Sequence, residues 1–342
     1  MIIRKYTKSS SFYLGTKAGF FERNESNLNE SLKENELYSK QPKREMCKIC
    51  SSRLPGDEDF QSHNVSYVFC TDCGHLNGVF EDTIEFVDKI YMEDSGAEYA
   101  KNYLDEDFLN RVSDIYAPKV DFLLSVVPDG NCEILDVGCG AGYFVLASLM
   151  ENQQASGIDV SDVMVNFGNQ QILSHQGCAP LQKVKEDGFF EEVTKTGADV
   201  VSAIGVIEHL RQPHKLFEAF KESKAKYLYY SVPMFSLSVV CENVFKNVFP
   251  RQLSGGHTHL FTEKSISRMH ELLGVRPVGE WRFGTDFMDL YRHLNIYLRA
   301  NNVSQKMLDY FHAGFATKID DLQAALDKNH FCSEIHVVAV KD

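Results

Sequence analysis

Short apolar strands alternate with longer helical segments across residues 132–232, and this alternation predicts an α/β fold on a largely parallel sheet. A second observation supports it. The string C-E-I-L-D-V runs directly into Gly138, Gly140 and Gly142, and an apolar run follows through residue 150. The third stands apart from that region. Two C-x-x-C pairs, Cys47/Cys50 and Cys70/Cys73, lie upstream with nineteen residues between them, which predicts a small N-terminal module closed by a metal ion.

The chain has 342 residues, enough for one large domain and a small one. Its formal charge of -13 argues against broad binding to nucleic acid or to anionic membrane, since both need net basic surface. No apolar run reaches membrane-spanning length, and residues 1–5 do not read as a secretory signal. With nine cysteines and no export signal, metal binding is favoured over a disulfide framework, and the expected compartment is the cytoplasm.

Residues 1–45 are rich in Asn, Glu, Ser and Lys towards their end and read as a largely flexible leader with one helix near 28–37. Residues 46–95 form the expected module. Each C-x-x-C turn sets two thiolates on one side, and a loop of about 15–20 residues lets two such turns meet as a tetrahedral Cys₄ zinc site. Four thiolates leave no open position, so the zinc is read as structural. His63 and His75 lie nearby but are not expected as ligands. Residues 80–107 are acidic and aromatic, with Tyr91, Tyr99 and Tyr103. Leu109, Val112, Ile115, Val120 and Leu123 then recur at helical spacing over residues 108–127.

Residues 132–137 are the first buried strand, and each glycine after it lets the backbone turn sharply beside a ligand. The second strand, 155–158, ends on Asp159. A glycine turn opening a helix, with an acid on the tip of the next strand, is how Rossmann-like folds hold a nucleoside. Ser161 is placed to cap the next helix. Further strands are expected at 181–184, at 198–205, and at 227–232 before Pro233. Thr262 is placed to cap a helix over 263–273. Strand-like elements at 276–282 and 334–340 flank a helical insert over about 285–330, read as packing or a homodimer face.

Two strings carry a family resemblance. I-L-D-V-G-C-G-A-G-Y-F at 134–144 resembles the first motif of class I S-adenosylmethionine (SAM) dependent methyltransferases. V-I-E-H-L-R-Q-P at 206–213 resembles a segment of the group that includes ubiquinone-biosynthesis O-methyltransferases. With its cysteine module, the layout also resembles sugar and small-molecule methyltransferases that carry an N-terminal zinc ribbon. The resemblance implies a Rossmann-like, seven-stranded class I methyltransferase fold over residues 96–342. It implies SAM as donor and S-adenosylhomocysteine (SAH) as product. Asp136, Gly138, Cys139, Gly140 and Gly142 are then expected along the methionine part of the donor, and Asp159 with Val160 at the ribose. Asp187 and Gly188 are expected at the adenine, and Ile204 and Glu208 are expected among the cofactor residues, with the start of a helix as the other place for Glu208. Arg111 is a further candidate for the donor carboxylate, against a solvated helix face.

Methyl transfer to a hydroxyl or carbon needs positioning and removal of a proton. Histidine titrates near working pH. His257 and His259, at alternate positions in the glycine loop G-G-H-T-H, and His209, past the fourth strand, are the candidate bases. The expected acceptor is a small molecule, with a nucleotide-linked sugar among the candidates. Two other readings stay open. One is an RNA methyltransferase whose module grips substrate through Lys43, Arg44, Lys48 and Arg53. The other is a non-catalytic scaffold. No N-P-P-Y or D-P-P-Y string follows the fourth strand, which argues against methylation of base amines.

Overall fold

A computed structural model describes residues 2–10, 23–91, 108–128, 131–253 and 257–342. In chain order it begins with β1 (Ile3–Tyr6), α1 (Asn24–Tyr38), β2 (Phe60–Ser62), β3 (Val65–Phe69), β4 (Leu76–Gly78) and α2 (Ile84–Tyr91). Next, α3 (Phe108–Arg111) runs through a π-turn, Val112–Tyr116, into α4 (Ala117–Val126). The alternating region follows as β5 (Glu133–Val137), α5 (Tyr143–Met150), β6 (Gln154–Asp159), α6 (Asp162–Gln176), β7 (Leu181–Lys183), α7 (Glu186–Lys195), β8 (Val200–Ile204), α8 (Pro213–Glu222) and β9 (Tyr227–Pro233). The remainder is α9 (Leu237–Val244), β10 (His259–Leu260), α10 (Glu263–Leu273), β11 (Val275–Phe283), α11 (Asp286–Ala300), α12 (Gln305–Phe315), α13 (Ile319–Lys328) and β12 (Glu334–Lys341).

The main sheet has the order β1-β11-β12-β9-β8-β5-β6-β7. β5 pairs in parallel with both β6 and β8, while β12 runs antiparallel between β9 and β11. Because β5 has β6 on one side and β8 on the other, the crossovers leave it in opposite directions. The crevice of an open α/β sheet lies at such a switch point, outside the carboxyl ends of the strands. β5 and β8 are apolar runs whose residues lie almost wholly inside, as expected for strands covered on both faces. The predicted caps form. Ser161 Oγ accepts from Met164 N–H, and Thr262 makes a reciprocal capping box with Ser265.

The leader departs from its expected flexibility in two places. Residues 3–6 add an eighth strand to the seven implied by the resemblance, pairing in parallel along β11. The backbone of that edge is satisfied there, Trp281 Nε1 donates to Thr7 O at 3.0 Å, and the Lys5 ammonium lies 3.9 Å from the Trp281 ring centre. The helix near 28–37 is longer than expected. Its last residue, Tyr38, is fully buried, and its hydroxyl donates to Phe80 O at 2.5 Å. Tyr99 and Tyr103, and Gly255 of the glycine loop, fall outside the described residues.

The cysteine module is not a separate bead. Its antiparallel sheet β2-β3-β4 takes its fourth strand, β10, from residues 259–260. Cys47, Cys70 and Cys73 share one apolar cluster with Val206, Ile207 and Leu210, the residues just past β8. In the helical insert, α11 packs on α9 and α13 on β11. Among the described residues, no helix is long and apolar enough to cross a membrane.

Candidate functional site

A cavity of about 720 Å³ opens at the carboxyl ends of β5, β6 and β8, within the range of small-molecule sites. One wall is the glycine turn. Gly138, Gly140 and Gly142 all have left-handed φ, at +66°, +54° and +73°. A side chain in that region costs about 1–2 kcal/mol. At Gly138 there is also no room, since a Cβ would meet Val206 Cγ2 at 2.6 Å. The turn is tied to the next strand by Gly138 N–H and Cys139 N–H, both donating to Ile158 O. Asp159 closes this wall. Its two carboxylate oxygens accept from Gly140 N–H and Ser161 N–H, each at 2.8 Å. Burial raises its pKa, and these backbone donors oppose the rise.

Of the expected cofactor residues, Gly138, Cys139, Gly140, Asp159, Val160, Ile204 and Glu208 line the cavity. Three others do different work. Asp136 is buried beneath the floor, where its Oδ1 accepts from Ser202 Oγ at 2.6 Å, and burial raises its pKa to about 7. Gly142 starts α5, and a Cβ there would strike Leu181 and Ile172, so its smallness serves packing. Gly188 lies within α7, where a Cβ would meet Val184 at 3.1 Å. The backbone of Asp187 belongs to α7, but its side chain falls outside the described residues. Arg111 lies over the Tyr143 ring at 5.8 Å.

The opposite wall carries the histidines. Gly205 turns the chain off β8 at φ +67°, its N–H donating to Ser231 Oγ at 3.0 Å. Residues 206–209 then curl back, with His209 N–H donating to Val206 O. This presents Glu208 and His209 to the cavity. His257 arrives from the far loop, and its ring centre lies 5.1 Å from that of His209. Burial lowers the pKa of His257, partly offset by hydrogen bonding towards Gln252 and Arg251. Burial likewise pushes Glu208 up, to about 8.

The alternate-position pair separates. His257 lines the cavity, whereas His259 is built into β10 and bonds through Nδ1 to His75 Nε2 at 2.8 Å. His75 in turn meets Ser265 Oγ at 3.2 Å. His259 and Ser265 therefore tie the module to the segment that leads into α10, and burial holds the pKa of His259 well below the ordinary value. The strand pairing of β10 turns its residues to the β4 partner, which spacing alone does not reveal.

Lys119 and Glu334 also line the cavity, and the sequence reading did not find them. Burial lowers Lys119 to about 8. Burial would raise Glu334, but its bond from His336 Nε2 and nearby Lys119 and Lys8 outweigh that and hold it at about 2. The one signal for Lys119 is a cation beside Val120 on an otherwise apolar helix face.

In the module the four sulfurs converge. Cys47 and Cys73 Sγ lie 3.6 Å apart, as do Cys50 and Cys70 Sγ. All four lie within 4.8 Å of one another. A tetrahedron of sulfurs about 2.3 Å from a zinc ion has edges of roughly 3.8 Å, so the set fits. Asn77 Nδ2 points at Cys47 Sγ, 3.6 Å away. Arg44 and Lys48, offered above as RNA contacts, are buried and paired with Asp82.

The methyltransferase domain family matches residues 101–278, just over half of the chain. A 94-residue stretch is 30% identical to a probable fatty acid methyltransferase of Mycobacterium tuberculosis, over 27% of this chain and 22% of that protein. The chain thus spans about a fifth of the length of the curated relative it matches. Two solved structures are similar at low identity. Magnesium protoporphyrin IX methyltransferase from Synechocystis PCC 6803, with bound SAH, has TM-score 0.49 and 12% identity over 75% of this chain and all of that one. A SAM-dependent methyltransferase from Archaeoglobus fulgidus has TM-score 0.43 and 18% identity over 69% of this chain and all of that one.

Proposed function

The chain belongs to the methyltransferase domain family, and from that premise we propose that it uses SAM to methylate a hydroxyl or carbon of a small molecule, a nucleotide-linked sugar being the first candidate. The observation that carries this reading is the division of one cavity into two chemically different walls. The glycine turn and Asp159 suit a nucleoside donor, while His209, His257, Lys119 and Glu334 face them with groups that bind or move protons. The donor residues fit SAM. Gly138 leaves its backbone bare to the cavity, and the Asp159 oxygens keep lone pairs for a ribose diol.

When bound, SAM supplies an electrophilic methyl carbon on a sulfonium. The chain holds the acceptor in line and exposes it to an imidazole, a general base. Its low pKa keeps His257 unprotonated at neutral pH, ready to accept. His259, bonded to His75, serves as a support. We assign zinc to the four cysteines in a structural role, because the set is closed and joined to the apolar cluster that backs Glu208 and His209. We assign the chain to the cytoplasm, a reducing compartment in which the four thiols stay available to zinc.

The test is SAH release across sugar nucleotides, phenols, fatty acids and RNA. Turnover is expected with a hydroxylated small molecule, lost roughly 10²–10⁴-fold in His257→Ala. Turnover on RNA alone would overturn the reading.

A further inference from the structure

We propose that Glu208, His209 and His257 form a second metal site, for a divalent first-row transition ion, on the acceptor wall of the cavity. The inference rests on the proposed function for the reaction and the acceptor, though not for its geometry, and with an ion bound His257 is a ligand, the ion taking over from the free imidazole base. One donor atom from each of the three side chains falls within 4.8 Å of the others, and all three residues line the cavity. Glu208 Oε1 and His209 Nε2 are 4.0 Å apart. Ligands about 2.0–2.2 Å from a shared ion lie roughly 3–3.5 Å from one another. Closing on an ion therefore takes a contraction of about an ångström, within reach of side-chain rotation.

Independent observations point to a ligand here. Glu208 is 6% exposed, yet its Oε2 has no hydrogen-bond partner among the described residues. His257 Nδ1 is also buried and has no partner among the described residues. Leaving such atoms unsatisfied is unfavourable, and an ion between them removes that cost. The Gly205 turn and the bond from His209 N–H to Val206 O hold the first two side chains in place.

Two imidazoles and one carboxylate suit Mn²⁺, Fe²⁺, Co²⁺ or Zn²⁺ rather than Ca²⁺, and differ in kind from the soft Cys₄ set. Three protein ligands leave coordination positions open. An acceptor hydroxyl bound there is acidified and loses its proton to water. The oxygen lone pair then forms the bond to the methyl carbon. The C–S bond breaks with its electrons going to sulfur, and one proton is released overall.

The probe is cobalt(II), titrated into the full chain with zinc in its four cysteines. The expected result is one further equivalent of cobalt, showing visible d–d absorption without a sulfur-to-cobalt charge-transfer band. His257→Ala and Glu208→Gln should weaken this binding by roughly tenfold or more, with unchanged zinc content and unchanged circular dichroism. No further equivalent, a thiolate spectrum, or binding unaffected in both variants would overturn the site. Methyl transfer that is indifferent to added ion and to chelation, but abolished in His257→Ala, would overturn the metal's role and leave the imidazole base standing. Cobalt binding as expected, with methyl transfer to RNA alone, would overturn the proposed acceptor class and leave the site standing.

Discussion

The glycine turn after β5 and the histidine wall after β8 face each other across one cavity, but they are assembled differently. The first is continuous: residues 138–161 fold on themselves, and Asp159 is fixed by the N–H groups of Gly140 and Ser161. The second gathers Lys119, Glu208, His209, His257 and Glu334 from four distant parts of the chain, with the cysteine module packed behind. The donor wall is thus held mainly by backbone geometry. The acceptor wall is held by tertiary packing, and damage to remote packing should reach it first.

The largest effect should come from the module. Cys47→Ser is expected to reduce zinc from one per chain to near none by elemental analysis. Structural zinc sites contribute folding free energy directly, so the melting temperature should fall by roughly 10 °C or more. Because β10 pairs with β4, acceptor turnover should be lost while SAH binding persists below the new transition. Equal loss of both would break the comparison.

A smaller effect should come from beneath the donor wall. Asp136 has a folded pKa of about 7, raised by burial. Its unfolded form ionises at about 3.9. Between those values the folded state binds the extra proton, so the contribution is full below about pH 4 and lost as pH rises through 7. Urea midpoints of the wild type should fall across that window more steeply than those of Asp136→Asn. Parallel curves would show that the carboxyl is not held neutral.

The glycine turn was legible because its chemistry is local. D-V-G-C-G-A-G and the acid ending β6 carry their geometry in residue type and spacing, as do the two cysteine pairs. Ser161 and Thr262 were found as caps for the same reason. The acceptor wall was legible only as a set of candidates. His257 and His259 look alike in sequence, and only the pairing of β10 with β4 separates them. Lys119 and Glu334 carry no motif; they matter because α4 and β12 begin at the cavity. Asp136 stands outside the cavity lining, buried with its Oδ1 accepting from Ser202 Oγ, a pairing across β5 and β8 that the motif does not show. Ile3–Tyr6 was too short to announce an edge strand beside β11.

The central claim is that the donor is held by the glycine turn and Asp159, separately from the histidines. SAH titration calorimetry on wild type, Asp159→Ala and His257→Ala tests it most directly. Loss of hydrogen bonds to a buried carboxylate should weaken SAH roughly 10–100-fold in Asp159→Ala. His257→Ala should stay within about twofold of wild type. Wild-type affinity in Asp159→Ala, or equal weakening in both variants, would contradict the account.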